Sequence, residues 1–162
     1  MKDFERIYIE NKKLDEMFDK LYDHHSEDTI EKNIVELLVE LGELANETRC
    51  FKYWSNKKPS SKEVIMDEYA DCFLMTLCFC NMANIDLNEP FEEVNEKNIV
   101  TQFKQLYKLV STLDIKLDRE LIKEILSNLA NLGILLDFSK EEIVDGCLLK
   151  INKNKSRFDT GF

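Results

Sequence analysis

The sequence Glu68-Tyr69-Ala70-Asp71, followed by CFLMTLCFC at residues 72–80, decides the fold. The residues after Asp71 are almost all apolar, so a helix over this segment is apolar on every side and should lie at the centre of the protein. Glu68 and Asp71 are three residues apart and therefore share one face of that helix. These two carboxylates need a partner, because charged groups are rarely buried alone.

A second pair of carboxylates has the same spacing. Glu40 and Glu43 lie in ELGE, within a segment of helical periodicity. If the two helices pack together, four carboxylates converge, and their repulsion raises their pKa values unless a cation lies among them. Neither Lys nor Arg occurs between Lys62 and Lys97 to neutralise the second pair locally. Mg²⁺ prefers oxygen ligands and keeps water and phosphate oxygens in its shell, so the pattern indicates phosphate chemistry on a nucleotide.

Spacing alone leaves a structural interpretation of the first pair open. Glu36, Glu40, Glu43 and Glu47 form an acidic stripe at helical spacing. Such a stripe is commonly the solvent-facing side of an amphipathic helix. The apolar surroundings of the second pair favour the metal site over this alternative.

Length and charge indicate one globular domain, residues 1–162, in the cytoplasm. A chain of 162 residues can bury a substantial core. The net charge is −10, and no basic patch dominates, which argues against duplex nucleic acid as a partner. The apolar runs are too short to span a membrane, and the N-terminus lacks the apolar stretch of a signal peptide.

The cysteines and histidines show no metal-binding pattern. The five cysteines lack paired spacing, so we expect free thiols in a reducing compartment, with Cys72, Cys78 and Cys80 as core residues. His24 and His25 are adjacent at the end of a predicted helix. Because adjacent helical residues face different ways, we expect surface residues rather than ligands there.

Helical periodicity runs through the whole chain, which has four glycines and two prolines. We therefore expect an all-α bundle of about six helices. Capping boxes are predicted at Ser60 with Glu63 and at Ser139 with Glu142, and Asp118 is a further predicted cap. The helices are expected at about residues 7–24, 29–51, 60–84, 88–113, 118–136 and 139–154, with residues 156–162 irregular. The third helix is too apolar to face water, so we expect a homodimer to cover it.

The two carboxylate pairs resemble the signature of the all-α NTP pyrophosphohydrolases, the superfamily of the MazG-like enzymes. Two more segments resemble the dimeric dUTPases within it. ELANETRCFKYWS, residues 43–55, is similar to the segment that follows the first carboxylate pair in that family. LLKINKNKSRFDTGF, residues 148–162, is similar to its C-terminal motif. Asn11 stands where the family has a glutamine, and Phe162 stands where it has a tyrosine.

The resemblance implies an activity and assigns roles to residues. It implies a homodimeric, Mg²⁺-dependent enzyme that hydrolyses dUTP, and dUDP as well, to dUMP. Either Glu43 or Glu40 would orient or deprotonate the attacking water. The implied metal ligands are Glu40, Glu43, Glu68 and Asp71; the implied phosphate-binding residues are Lys150, Arg157 and Lys52; the implied base and sugar contacts are Asn154, Phe51, Trp54, Asn11 and Phe162.

Several alternatives stay open at this point. Lys150 and Arg157 could belong to a solvated basic tail, and Lys52 could cap the end of a helix. The aromatic residues at positions 51–54 could be core residues instead of a base pocket. At the level of function, a MazG-like enzyme of broader NTP specificity would share the carboxylates, and a non-enzymatic helical binding or regulatory protein could retain them.

Overall fold

The computed structural model describes residues 1–161, and this part of the chain is an all-α bundle, as the periodicity predicts. A short 3₁₀ helix at Lys2–Phe4 precedes the first long helix. The six long helices in the described range are α1 (Glu5–Tyr22), α2 (Glu27–Thr48), α3 (Lys62–Met82), α4 (Ile99–Thr112), α5 (Arg119–Leu135) and α6 (Lys140–Thr160).

The apolar helix α3 lies at the centre of the bundle. It packs against α1, α2, α5 and α6, while α4 lies farther out against α2 and α5. Tyr69, Phe73 and Leu77 are fully buried along α3. The chain therefore covers its own central helix. The expectation that a second copy is needed for this purpose is therefore wrong.

Short polar side chains begin helices α2 to α6, as expected of N-caps, whereas Phe4 precedes α1. At the start of α6, the Glu142 backbone N–H donates to the Ser139 hydroxyl, and the Ser139 N–H donates to the Glu142 carboxylate, which confirms this capping box. Asp118 accepts the N–H of Leu121 at the start of α5, as its predicted role requires.

The predicted cap of α3 is wrong by one residue. Ser61 caps the helix by accepting the N–H of Val64, so Glu63 does not form a capping box with Ser60. The Ser60 hydroxyl instead donates to the carboxylate of Glu47 on α2. This contact ties the end of the α2–α3 loop to α2, and a local capping pattern gives no sign of it.

The predicted fourth helix starts too early. Residues 83–98 are irregular, and α4 begins at Ile99 with Asn98 as its cap. Arg119 of α5 donates to two backbone carbonyls just after α3 and pairs with Glu89 at 2.7 Å. Side-chain contacts from a later helix therefore hold this segment in a non-helical conformation.

The last helix is longer than predicted. Residues 156–160 are helical, because α6 continues to Thr160. This end packs against α1, where the Phe158 and Phe18 rings meet edge to face at 6.0 Å. The prediction of an irregular tail is therefore wrong for these residues.

The close packing of α5 against α3 gives a testable prediction. A Cβ added at Gly133 would lie 2.7 Å from the Tyr69 hydroxyl and 2.9 Å from Ile143 Cδ1. The Tyr69 hydroxyl cannot easily move, because it donates to the Leu129 carbonyl at 2.7 Å. Gly133→Ala should therefore lower the free energy of unfolding, measured in urea, by about 1–3 kcal/mol, the usual cost of overpacking.

Gly42→Ala is the matched control within a helix. Its added Cβ would meet only the end of the Tyr107 side chain, at 3.0 Å, and alanine favours helix more than glycine does. This variant should be as stable as the unmodified protein or more so. Equal stability of the two alanine variants would contradict the packing argument.

Candidate active site

A cavity of about 490 Å³ lies between α1, α2, α3 and α6, and we call it the central cavity. Its size falls within the roughly 300–1,000 Å³ typical of ligand sites. The residues proposed from sequence that line it are Asn11, Glu40, Glu43, Glu68, Asp71, Lys150, Asn154 and Arg157. The fold thus brings together side chains from the first, middle and last parts of the chain.

Three of the four predicted metal ligands form a tight group, the acidic trio of Glu40, Glu68 and Asp71. One carboxylate oxygen from each lies within 4.8 Å of the others. The fourth, Glu43, lines the same cavity but is exposed at its rim. The two helices carrying the carboxylate pairs therefore do pack so that the pairs converge.

Within the trio, the pKa of Glu40 is raised the most. Burial, followed by the charges of Asp71 and Glu43, raises the pKa of Glu40 to about 8. Its Oε2 atom is buried and has no hydrogen bond from any described residue. Burial also raises the pKa values of Glu68 and Asp71. An ionised trio therefore needs more positive charge than the described residues supply.

A lysine from α6 neutralises part of this charge. The Lys150 ammonium lies 2.7 Å from Asp71 and 2.9 Å from Asp67. Burial opposes ionisation of Lys150, but its bonds to Asp71 and Asp67 raise its pKa above the ordinary value. Asp67 also holds Lys153 at 2.8 Å. The sequence offered no basic partner close to the trio, and the fold supplies one from a distant helix.

The trio fits a hard divalent cation. All three donors are carboxylate oxygens, the ligand type that Mg²⁺ prefers. The unbonded Glu40 oxygen and the raised pKa of Glu40 are the features expected of a group that lacks its positive partner. Glu40, Glu68 and Asp71 are therefore the residues that would hold the ion, with Glu43 beside them.

Comparison with known proteins gives one match. A family model described as dUTPase matches residues 3–162. The chain belongs to the dimeric, all-α dUTPase family. Membership makes it a dUTP diphosphatase, in a family that generally uses a divalent metal. No curated protein and no solved structure matches the chain. Within residues 1–161, no helix is both long and apolar enough to cross a bilayer.

Three predicted contacts of this dUTPase lie on the loop between α2 and α3 and do not line the central cavity. Phe51 and Trp54 are 43% and 65% exposed, so the alternative that they are core residues is wrong. Lys52 lies between them, with its ammonium near the Phe51 ring. Their roles at the nucleotide stay predictions, because these residues lie outside the lining of the central cavity of this chain. Phe162 lies outside the described residues.

The loop has a defined shape because of Arg49. This residue ends α2 at φ 56°, in the left-handed region, whereas the sequence predicted a helix up to residue 51. Its guanidinium donates to the Ser55 hydroxyl at 2.8 Å and to the Lys57 carbonyl at 3.2 Å. The loop is thereby folded back, and its aromatic residues point away from the bundle core.

Asp67 is not among the residues predicted from the sequence, and the predicted surface position of the two histidines is wrong. Asp67 is four residues before Asp71 and shares its face, so an acidic partner for Lys150 could have been sought there. His24 and His25 are half-buried, with both rings directed at Asp15. The expectation of surface histidines is wrong, because α1 ends at Tyr22 and a turn, not a helix, orients the two rings.

The raised pKa of Glu40 predicts how stability depends on pH without metal. A carboxyl group with a raised pKa stabilises the fold when protonated, and this contribution is lost as pH rises from 4.5 towards 8. With EDTA present, the Tm of the unmodified protein should fall across this pH range, and the Tm of Glu40→Gln should fall less. Thermal unfolding followed by circular dichroism at several pH values measures both curves.

The control is Glu31→Gln, on the exposed side of α2. Its Tm curve should run parallel to that of the unmodified protein. If the Tm curve of Glu40→Gln is also parallel to that of the unmodified protein, Glu40 is not the destabilising carboxylate.

Proposed function

We propose that the central cavity hydrolyses dUTP, and dUDP as well, to dUMP in a Mg²⁺-dependent reaction. The observation that carries this proposal is the acidic trio, with a buried and unbonded Glu40 oxygen, facing basic and amide side chains across one cavity. When bound, Mg²⁺ supplies charge neutralisation for phosphate oxygens and activation of a water molecule. Glu40, Glu43, Glu68 and Asp71 are the proposed ligands.

Glu43 is the proposed residue that orients the attacking water or accepts its proton. It lines the cavity beside the trio and is more exposed than Glu40. Its position at the rim lets it contact both solvent and a bound phosphate chain. Glu40 is the alternative for this role, although its burial suits metal binding better.

Helix α6 presents the proposed nucleotide contacts. Lys150, Asn154 and Arg157 are spaced by four and three residues, so they lie on one helical face, and all three line the cavity. Arg157 suits bidentate contact with phosphate oxygens, and Lys150 acts as a point charge. Asn154 carries both a donor and an acceptor, which the edge of uracil requires. Asn11 of α1 lines the same cavity as a further proposed base or sugar contact.

Lys150 contacts two carboxylates at once, and we propose that a bound cation would displace it from one of them. Its ammonium lies 2.7 Å from Asp71, which is a proposed metal ligand. A divalent cation at the trio would repel this ammonium. Asp67 would then retain Lys150 at the edge of the site, where it can meet a phosphate oxygen. Asp67 is therefore a proposed positioning residue for Lys150.

A homodimer and a cytoplasmic location complete the proposal. The family is dimeric, and the loop with Phe51, Tyr53 and Trp54 exposes three aromatic side chains. We propose that this loop contacts the second subunit, where Lys52, Phe51 and Trp54 could reach a nucleotide. All five cysteines are free, which suits a reducing compartment.

The substrate assignment is tested by product release from dUTP, dUDP, dCTP, dTTP and dATP with Mg²⁺. The protein should prefer dUTP by roughly 10⁴-fold over bases that leave its polar groups unpaired. Asn154→Ala should reduce the preference for dUTP over dCTP by roughly 10- to 100-fold, the loss expected for one unmet hydrogen bond. Arg157→Ala should reduce kcat/KM for all the nucleotides by a similar factor.

Glu68→Gln, which removes one carboxylate of the trio, is the inactive control for this assay. Equal rates for dUTP, dCTP and dATP would instead assign the protein to the MazG-like enzymes of broad specificity. Loss of activity on dCTP and dUTP alike in Asn154→Ala would argue against a role in base selection.

The proposed role of Asp67 gives a separate prediction. In Asp67→Asn, Lys150 is left with Asp71 as its carboxylate partner and competes more strongly with the cation. The Mg²⁺ concentration for half-maximal activity should rise by roughly 10-fold, the equivalent of one charge-assisted hydrogen bond. Calorimetric titration with Mn²⁺ should show the same weakening without any nucleotide.

Asp145→Asn is the control, because it removes the same charge from an exposed position on α6. It should leave the Mg²⁺ dependence unchanged. Identical Mg²⁺ dependence in both variants would show that Asp67 does not position Lys150.

A further inference from the structure

A second group of metal-binding side chains lines the central cavity. Asp15 of α1, His24 of the α1–α2 turn and Cys78 of α3 each offer one ligand atom, and these atoms lie within 4.8 Å of one another. We call them the inner cluster. Cys78 follows Asp71 by seven residues, so the cluster lies about two helical turns along α3, or roughly 10 Å, from the acidic trio.

Asp15 is the unusual member of this cluster. Its side chain is only 1% exposed. The Oδ2 atom accepts hydrogen bonds from Asn81 Nδ2 and His25 Nε2, both at 2.8 Å. The Oδ1 atom is buried and accepts no hydrogen bond from any residue in the range 1–161, with His24 Nε2 at 3.4 Å. Hydrogen bonds thus hold one side of the carboxylate in place, and the other side faces the His24 ring.

The three donors differ in kind from those of the acidic trio. A carboxylate oxygen, an imidazole nitrogen and a sulfur atom together suit Zn²⁺ and similar transition metals, whereas Mg²⁺ prefers oxygen alone. Binding requires the Cys78 thiol to release its proton to solvent as the metal–sulfur bond forms.

We propose that Asp15, His24 and Cys78 form a site for a thiophilic divalent ion such as Zn²⁺. Three protein ligands leave a fourth position open, as in zinc sites that also accept water or a small molecule. That position would be open to the central cavity, which all three residues line. His25 and Asn81 fix the Asp15 carboxylate from behind, as outer partners of metal ligands commonly do.

An ion in the inner cluster would inhibit the enzyme. This consequence rests on the proposed function, because it requires the nucleotide to occupy the same cavity. Asn11, a proposed base or sugar contact, donates to the Cys78 sulfur at 3.4 Å. An ion bound to that sulfur would therefore stand beside the nucleoside, and Zn²⁺ and nucleotide should compete.

Co²⁺ is the probe for the site, because a cobalt–thiolate bond gives a charge-transfer absorption that oxygen ligands do not. The protein is titrated with Co²⁺ in an excess of Mg²⁺, so that Mg²⁺ occupies the acidic trio. We expect the thiolate absorption to saturate at one Co²⁺ per chain. This absorption should be lost in Cys78→Ser. In His24→Gln, the affinity for Co²⁺ should fall at least 10-fold.

Cys50→Ser is the matched control. Cys50 is the other partly exposed thiol and lies at the end of α2, outside the cluster. Its variant should keep the full absorption. Absence of the thiolate absorption in the unmodified protein would overturn the proposal, as would its persistence in Cys78→Ser. Cys78 lies on the central helix, so Cys78→Ser could fail to fold. In that case, the Co²⁺ affinity of His24→Gln decides whether the site exists.

Inhibition is measured separately, as the effect of Zn²⁺ on dUTP hydrolysis in excess Mg²⁺. The apparent KM for dUTP should rise with Zn²⁺, and His24→Gln should reduce this effect by about the factor by which it weakens Co²⁺ binding. A thiolate absorption without any change in KM would overturn the competition but leave the metal site. If the protein does not hydrolyse dUTP at all, the proposed function is wrong. The Co²⁺ titration would still test the metal site, because it does not depend on hydrolysis.

Discussion

Repulsion among the carboxylates of Glu40, Glu68 and Asp71 is the constraint on which the rest of the site depends. Their oxygens lie within 4.8 Å of one another beside an apolar helix, where negative charges are poorly solvated. Part of the charge is met by Lys150, which reaches the trio from a helix near the other end of the chain. The packing of α6 against α3 is therefore as much an electrostatic requirement as a hydrophobic one.

The central helix gives the cavity two chemically different regions. Asp71 belongs to a group of oxygen donors, and Cys78, about two turns along the same helix, belongs to a group that also offers nitrogen and sulfur. Because both lie on α3, their separation is fixed by the helix itself. A small molecule that fills the cavity must contact both environments.

Local sequence patterns predicted the features that depend on local interactions. The apolar run at residues 72–80 indicated the central helix, and the three-residue spacing indicated that each carboxylate pair shares a face. The capping box at Ser139 was likewise predictable, because its donors and acceptors are three residues apart. These patterns, together with the family resemblance, also predicted that the two carboxylate pairs would line one cavity.

Features that depend on distant contacts could not be predicted in the same way. Residues 83–98 are held out of a helix by Arg119, and the last turns of α6 pack against Phe18 of α1. The direction of the His24 ring follows from a turn and from the distant Asp15. The residues next to each of these segments in the sequence do not indicate which distant residues it contacts. The exposed position of Trp54 likewise depends on how Arg49 folds the loop.

The single long helix α6 carries the lysine, asparagine and arginine that face the cavity, and this has a consequence for how the sequence can change. Each residue in an α-helix turns the chain by about 100°. Inserting or deleting one residue between Lys150 and Asn154 would thus rotate Arg157 out of the cavity, while the helix itself would remain well formed. The same change would turn Phe158 away from Phe18, so it should weaken the packing of α6 on α1 as well as the site. The spacing along α6 therefore has to be kept for Lys150, Asn154 and Arg157 to face the cavity together.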